Sequence, residues 1–159
     1  MIIRCGGDIF SADAQALVNP VNCEGVRGKG LAFVFKKRFP RNFGAYRKAC
    51  LRNELQPGRV FVFDEAGKTI INFPTKTTWR NASSLQLIEK SYPALKIALS
   101  ERGINAVAIP SLGCGLGGLS PEQVFSSFAA AFAELPVKFY FFEPLHADKC
   151  VRMPENCGS

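Results

Sequence analysis

A chain of 159 residues, 47% hydrophobic and 21% charged, is sized and composed for one globular domain with a sizeable core, which excludes an intrinsically disordered chain. No apolar run approaches the ~20 residues that cross a bilayer. The start, Met1-Ile-Ile-Arg-Cys-Gly-Gly-Asp8, reads as strand and turn rather than a secretory leader, so a cytoplasmic protein away from any membrane is expected. A net charge of +7 favours polyanionic partners without specifying which.

In chain order, residues 2–5 read as a strand that stops at Gly6-Gly7-Asp8-Ile9, and Ser11-Ala-Asp-Ala14 as a short helical turn. A strand over 16–19 leads into a segment with two asparagines, Asn19 and Asn22, and three glycines, Gly25, Gly28 and Gly30. Its spacing matches neither a Rossmann fingerprint nor a P-loop. Residues 31–39 form a helix that Pro40 ends or redirects, and 41–53 another, with Phe43, Tyr46, Ala49 and Cys50 at helical spacing. Lys36, Lys37, Arg38, Arg41, Arg47, Lys48 and Arg52 on these two helices make either a nucleic-acid face or a solvated one.

Strands at 59–63 and 69–72 flank a hairpin turn at 64–68, and a loop over 73–80 carries Lys76, Trp79 and Arg80. Residues 84–102 read as the longest helix, with Gly103 as C-cap. A β-branched strand at 105–110 runs into Ser111-Leu-Gly-Cys-Gly-Leu-Gly-Gly-Leu119, and Ser120-Pro-Glu122 opens a helix over 121–134. The last strand is 137–142. A domain over 1–144 is thereby set apart from a tail, 145–159, without usable pattern. Alternating strands and helices predict an α/β fold of three layers, α/β/α, with a mixed, mostly parallel sheet that binds ligands at its strands' carboxyl ends.

The glycine loop after residue 110 is the strongest chemical signal. Without Cβ atoms its backbone N–H groups can turn on a phosphate beside a helix N-terminus. Asparagines supply donor and acceptor for ribose hydroxyls. Cys114, inside the loop, is a packing residue rather than a nucleophile, since no histidine lies near it in sequence. Six scattered cysteines, no C-x-x-C and a single histidine, His146, argue against a metal site and for reduced thiols. Lys76 by residue type alone is an exposed loop lysine. Trp79 is either an anchor or a stacking surface for a base. Asp8 and Asn22 are turn or cap residues unless a ligand uses them.

Together, Gly7-Asp8-Ile9, Asn19-Pro-Val-Asn22, Gly28-Lys-Gly30-Leu-Ala32 and Ser111-Leu-Gly-Cys-Gly-Leu-Gly-Gly118 resemble the macrodomain family of ADP-ribose-binding modules, over nearly the whole chain and in the family's order. Asn72-Phe-Pro-Thr-Lys76, Trp79-Arg80, Lys36-Lys-Arg-Phe-Pro40 and Ala45-Tyr-Arg-Lys-Ala-Cys50 are similar to the DarG-type subgroup, DNA ADP-ribosyl glycohydrolases that act as antitoxins to DarT-type transferases. The resemblance implies a monomeric hydrolase, without cofactor, that removes ADP-ribose from thymidine in single-stranded DNA and has a cognate ADP-ribosyltransferase toxin as partner. It also leaves open a hydrolase of protein- or phosphate-linked ADP-ribose, or a non-catalytic reader.

By the same resemblance, Asp8 and the Ile9 amide meet adenine, and Asn22, Gly30 and Leu31 border the distal ribose. Gly113, Cys114, Gly115, Leu116 and Gly117 wrap the diphosphate, Phe142 and Glu143 lie by the adenine, and Lys76 is catalytic. The protein-directed glycohydrolases carry an aspartate where Gly117 stands here.

Overall fold

The computed structural model describes residues 1–26, 28–115 and 117–143. The expected tail and Leu116 lie outside them. Six strands form one sheet in the order β1-β6-β5-β2-β4-β3: β1 Ile2–Cys5, β2 Ala16–Asn22, β3 Phe61–Glu65, β4 Lys68–Lys76, β5 Ala106–Pro110 and β6 Lys138–Phe142. All pairs are parallel except β3 with β4. The helices are α1 Leu31–Arg38, α2 Pro40–Leu51, α3 Leu85–Lys90, α4 Tyr92–Glu101 and α5 Pro121–Phe132, with a 3-10 turn at Ile9–Ser11.

The strands are apolar on both faces, and the period of two sorts them between two cores. Val18, Ile71, Phe73, Val107, Ile109, Phe139 and Phe141 meet Ile88, Leu95, Val124, Phe128 and Phe132 from α3, α4 and α5. Leu17, Ile70, Ala108, Tyr140 and Phe142 point the other way, against Ile9, Phe35 and Phe39. The expected three layers with a mixed, mostly parallel sheet are therefore present. Phe128 stacks on Phe132 at 4.5 Å and meets Phe139 edge-on at 5.1 Å. Phe128→Ala is expected to cost ~3–5 kcal/mol of unfolding free energy, measured by urea denaturation.

Several elements differ from the sequence reading, each for a local reason. Strands expected to end at 19 and 72 continue to Asn22 and Lys76, through Pro20 and Pro74. Prolines are tolerated where a strand's ladder is one-sided. The ladder with β5 ends at Leu17 and that with β3 at Asn72, so each proline lies on a stretch with one remaining partner.

The expected helix 84–102 is two helices. Pro93 cannot donate to a carbonyl one turn back, and the buried Ser91 at the joint accepts from the Gly58 amide at 2.8 Å. The expected turn at 11–14 sits two residues earlier, because Asp8 accepts from Phe10 N at 2.9 Å and caps it there. The 64–68 turn tightens to Ala66-Gly67, both at positive φ, with Glu65 paired to Lys68.

The connections after β2 and β5 leave the sheet in opposite directions. These strands pair only over Ala16 and Leu17. The helix after β2 packs on one face of the sheet and the helix after β5 on the other. Neighbouring strands whose chains leave to opposite faces open a crevice at their carboxyl ends. No helix among the described residues is long and apolar enough to cross a membrane.

Candidate functional site

Asn22 closes β2, and its side chain organises the loop that follows. Its Oδ1 accepts from Glu24 N at 3.0 Å and Val26 N at 3.3 Å, while its Nδ2 donates to Val26 O at 2.8 Å. Tyr46 of α2, 2% exposed, lies with its hydroxyl 2.7 Å from the Asn22 carbonyl and 3.0 Å from Oδ1. Burial pushes the phenol pKa up, so Tyr46 stays a donor. The acceptor capacity of Oδ1 and one amide hydrogen are thus engaged, and the second amide hydrogen has no partner among the described residues. The turn role and the ribose role weighed for Asn22 are compatible.

A bulge between Val21 and Asn22 skips one residue of β4 and sets Asn22 beside Lys76. Lys76, half-buried, ends β4 rather than standing in a loop. It makes no ion pair or hydrogen bond among the described residues. Cys23 N donates to Thr77 O at 3.2 Å, which holds the loops after β2 and β4 together.

Asn19, the other asparagine of this segment, is 5% exposed, much as Asn22 is at 6%. It donates to Asn72 Oδ1 at 3.0 Å, and Asn72 exchanges bonds with Asn42 of α2. This buried amide chain ties α2 to the two strands that carry Asn22 and Lys76. From sequence Tyr46 reads only as part of an apolar helix stripe and a family motif, and Asn42 carries no signal. At helical spacing they look like any buried stripe, and only their partners across the fold mark them.

The second glycine loop crosses the crevice from β5. Ser111 anchors its base, with N and Oγ donating to Phe142 O at 2.9 and 3.2 Å. Leu119 N donates to Gly113 O at 3.0 Å and Ser83 N to Gly117 O at 3.1 Å, so the loop is stitched to itself and to the segment after Lys76. A Cβ at Gly117 would lie 2.4 Å from Gly113 O and 2.5 Å from Ser83 Oγ. A Cβ at Gly115, which is exposed, would meet nothing within 4 Å. Burial raises the Cys114 thiol to about 11, so it is uncharged near neutrality, as suits packing. Neither α1, after Gly30 at φ +63°, nor α5 has a side-chain N-cap. Both helices present free amides and positive dipole ends near the glycine loops.

Asp8 caps the 3-10 turn with Oδ1, and Oδ2 lies 3.9 Å from Arg38 Nη2, leaving that oxygen on the solvent side. The Ile9 amide has no backbone acceptor among the described residues. Phe142 is 5% exposed and packs in the cluster of Ile9. Glu143 is drawn to Arg4 Nε at 2.6 Å. Trp79 is 49% exposed, with Arg80 5.0 Å over its ring, so it is not a core anchor. Cys23, Cys50 and Cys114 are free thiols, but Cys5 is disulfide-bonded, so the expectation of reduced cysteines fails at Cys5.

Two glycine loops, two helix starts without side-chain caps and an asparagine-lysine pair thus end or follow the strands β2, β4 and β5 of a three-layer α/β domain. The Macro domain family model matches residues 18–128, and the chain belongs to the macrodomain family. It is 47% identical to a Mycobacterium tuberculosis DNA ADP-ribosyl glycohydrolase over 86% of this chain and 40% of that protein. The solved macrodomain of Mycobacterium tuberculosis DarG superposes with a TM-score of 0.88 at 45% identity, covering 91% of this chain and 99% of that one. A Thermosipho africanus DNA ADP-ribosyl transferase-DNA ADP-ribosyl glycohydrolase fusion protein is 31% identical over 87% of this chain and 41% of its own length. The solved Thermosipho africanus DarTG in complex with ADP-ribose gives a TM-score of 0.82 over 87% of this chain and 40% of that one. The chain spans about two fifths of the curated relatives named here.

Proposed function

We propose that this chain is a DNA ADP-ribosyl glycohydrolase that releases ADP-ribose from thymidine bases, acting in the cytoplasm as antitoxin to a DNA ADP-ribosyltransferase. The placement of Asn22 beside Lys76 at the rim of the glycine-lined crevice carries this reading. The names of the relatives and the ADP-ribose in the Thermosipho structure support it, and the transferase fused to the Thermosipho relative supports a toxin partner.

In this reading Asp8 and the Ile9 amide take the adenine, and the loop from Gly113 to Gly117 takes the diphosphate. Asn22, Gly30 and Leu31 hold the distal ribose. Cleavage builds positive charge at the anomeric carbon and negative charge on the leaving thymine. Lys76 either stabilises or protonates the base, or attacks the anomeric carbon as a free amine. Gly117, where protein-directed relatives place an aspartate, leaves the lysine as the ionisable group at the scissile bond. Incubation with thymidine-ADP-ribosylated single-stranded DNA should release free ADP-ribose, and full retention on the DNA would refute the activity.

Asp8→Ala is expected to weaken ADP-ribose binding by about tenfold, the scale of one charge-assisted hydrogen bond. Binding of ribose 5-phosphate, which lacks adenine, should be unchanged in parallel calorimetry. Equal losses for both ligands would remove Asp8 from the adenine site.

A further inference from the structure

α2 spans the sheet from its amino edge to the crevice. At its start Glu65 accepts from Asn42 N at 2.7 Å, beside the hairpin where β4 begins. Toward its end Tyr46 holds Asn22, and Arg47 lies so close to Gly25 that a Cβ there would be 3.2 Å from the arginine Cα. The basic residues that look like one cluster in sequence therefore divide into a group on α1 and a group late in α2, with Arg41 apart from both in the first turn of α2 beside Glu65.

The α1 group is occupied. Lys36 sits 4.4 Å over the Phe43 ring and Lys37 5.6 Å from Phe33. Arg38 covers Phe10 at 4.5 Å and lies near Asp8. Arg47, Lys48 and Arg52 are exposed and make no ion pair or ring contact among the described residues. Leu51, 74% exposed, stands among them, and Val26, 39% exposed, is on the loop against Arg47. Beyond Lys76 stand the exposed Trp79 and Arg80.

Cations interleaved with exposed apolar and aromatic side chains suit the phosphates and bases of a single strand. Resting on the function proposed above, we infer that single-stranded DNA crosses the mouth of the crevice along Arg47, Lys48, Leu51 and Arg52 and continues past Trp79 and Arg80, with the α1 cations off its path. Glu24 and Glu54 also lie at this end and lower its net charge. Bare DNA therefore binds weakly, and the strand contributes mainly once its ADP-ribose is anchored.

The test uses Lys76→Ala protein, which in this reading keeps the modified oligonucleotide intact, and fluorescence anisotropy over a range of salt. Changing Arg47, Lys48 and Arg52 together to Gln should flatten the log-log salt dependence by ~2, at ~0.7 per phosphate contact on a single strand. Affinity at low salt should fall at least about tenfold. Binding of free ADP-ribose should be unchanged, which also reports that the variant is folded. If the triple variant does not fold, Arg47→Gln and Lys48→Gln singly should each flatten the slope by ~0.7. Trp79→Ala should weaken the modified oligonucleotide roughly tenfold and free ADP-ribose not at all.

Lys36, Lys37 and Arg38 changed together to Gln should leave the slope as it is. An unchanged slope in the α2 variant, or an equal loss in the α1 variant, overturns the DNA path. Release of ADP-ribose by protein with Lys76 intact, combined with unchanged slopes, overturns this inference alone. Absence of release overturns the glycohydrolase reading whatever the slopes.

Discussion

Lys76→Ala is expected to slow release of ADP-ribose from thymidine by ~10²–10⁴-fold, the range for removal of a positioned acid or base, with ADP-ribose affinity little changed. The separation follows from the geometry. In the proposed reading adenine and diphosphate contacts fall to the loops after β1 and β5, while Lys76 ends β4 beside Asn22. A group that acts chiefly on the transition state affects turnover more than ground-state binding. Single-turnover kinetics on a modified oligonucleotide, with calorimetry of ADP-ribose, measures both quantities.

Lys76→Arg keeps the charge but supplies neither a good nucleophile nor a ready proton. Activity in that variant would assign the lysine a purely cationic role. An inactive arginine variant together with a borohydride-trapped adduct would assign it as the nucleophile. Cleavage at the parent rate by Lys76→Ala would refute the catalytic assignment.

The glycine loop supplies the second large effect, and its two central glycines should fail in different ways. Gly115 has open space around its Cβ direction and an ordinary φ. Gly115→Ala should therefore bind ADP-ribose like the parent. Gly115→Glu should remain folded yet lose at least about 100-fold, roughly 2.7 kcal/mol, because its carboxylate meets the diphosphate.

At Gly117 even an alanine Cβ would collide with the Gly113 carbonyl and the Ser83 hydroxyl. Gly117→Asp should lower the melting temperature and abolish binding without conferring activity on protein-linked ADP-ribose. On this loop path an acid at position 117 is therefore not accommodated by a single substitution. Thermal melts and calorimetry separate the outcomes, and a stable, binding-competent Gly117→Asp protein would refute the packing argument.

Much of this could be read along the chain, because the informative signals are local. The two glycine segments, the Ser120-Pro121 helix start and the apolar strands at residues 105–110 and 137–142 each carry their own conformational cause. The strand ends were misjudged at Pro20 and Pro74. A proline's meaning in a sheet depends on whether a neighbour needs its missing N–H, and the neighbours are distant in sequence. The joint at Ser91 was missed for a similar reason, since its hydroxyl is engaged by Gly58 rather than by its own helix.

What the sequence by itself determined is the inventory: alternating elements, two phosphate-suited glycine loops, and a lysine in a recognisable motif. The tertiary structure decided the rest, because it depends on pairs far apart in the chain. The bulge at Val21 and Asn22 sets Asn22 beside Lys76, and Tyr46 turns that asparagine's amide. Asn19 joins a buried amide chain, and the basic residues divide between an occupied helix end and one at the crevice. Residue type states which bonds a side chain can make, but register and burial select the partner.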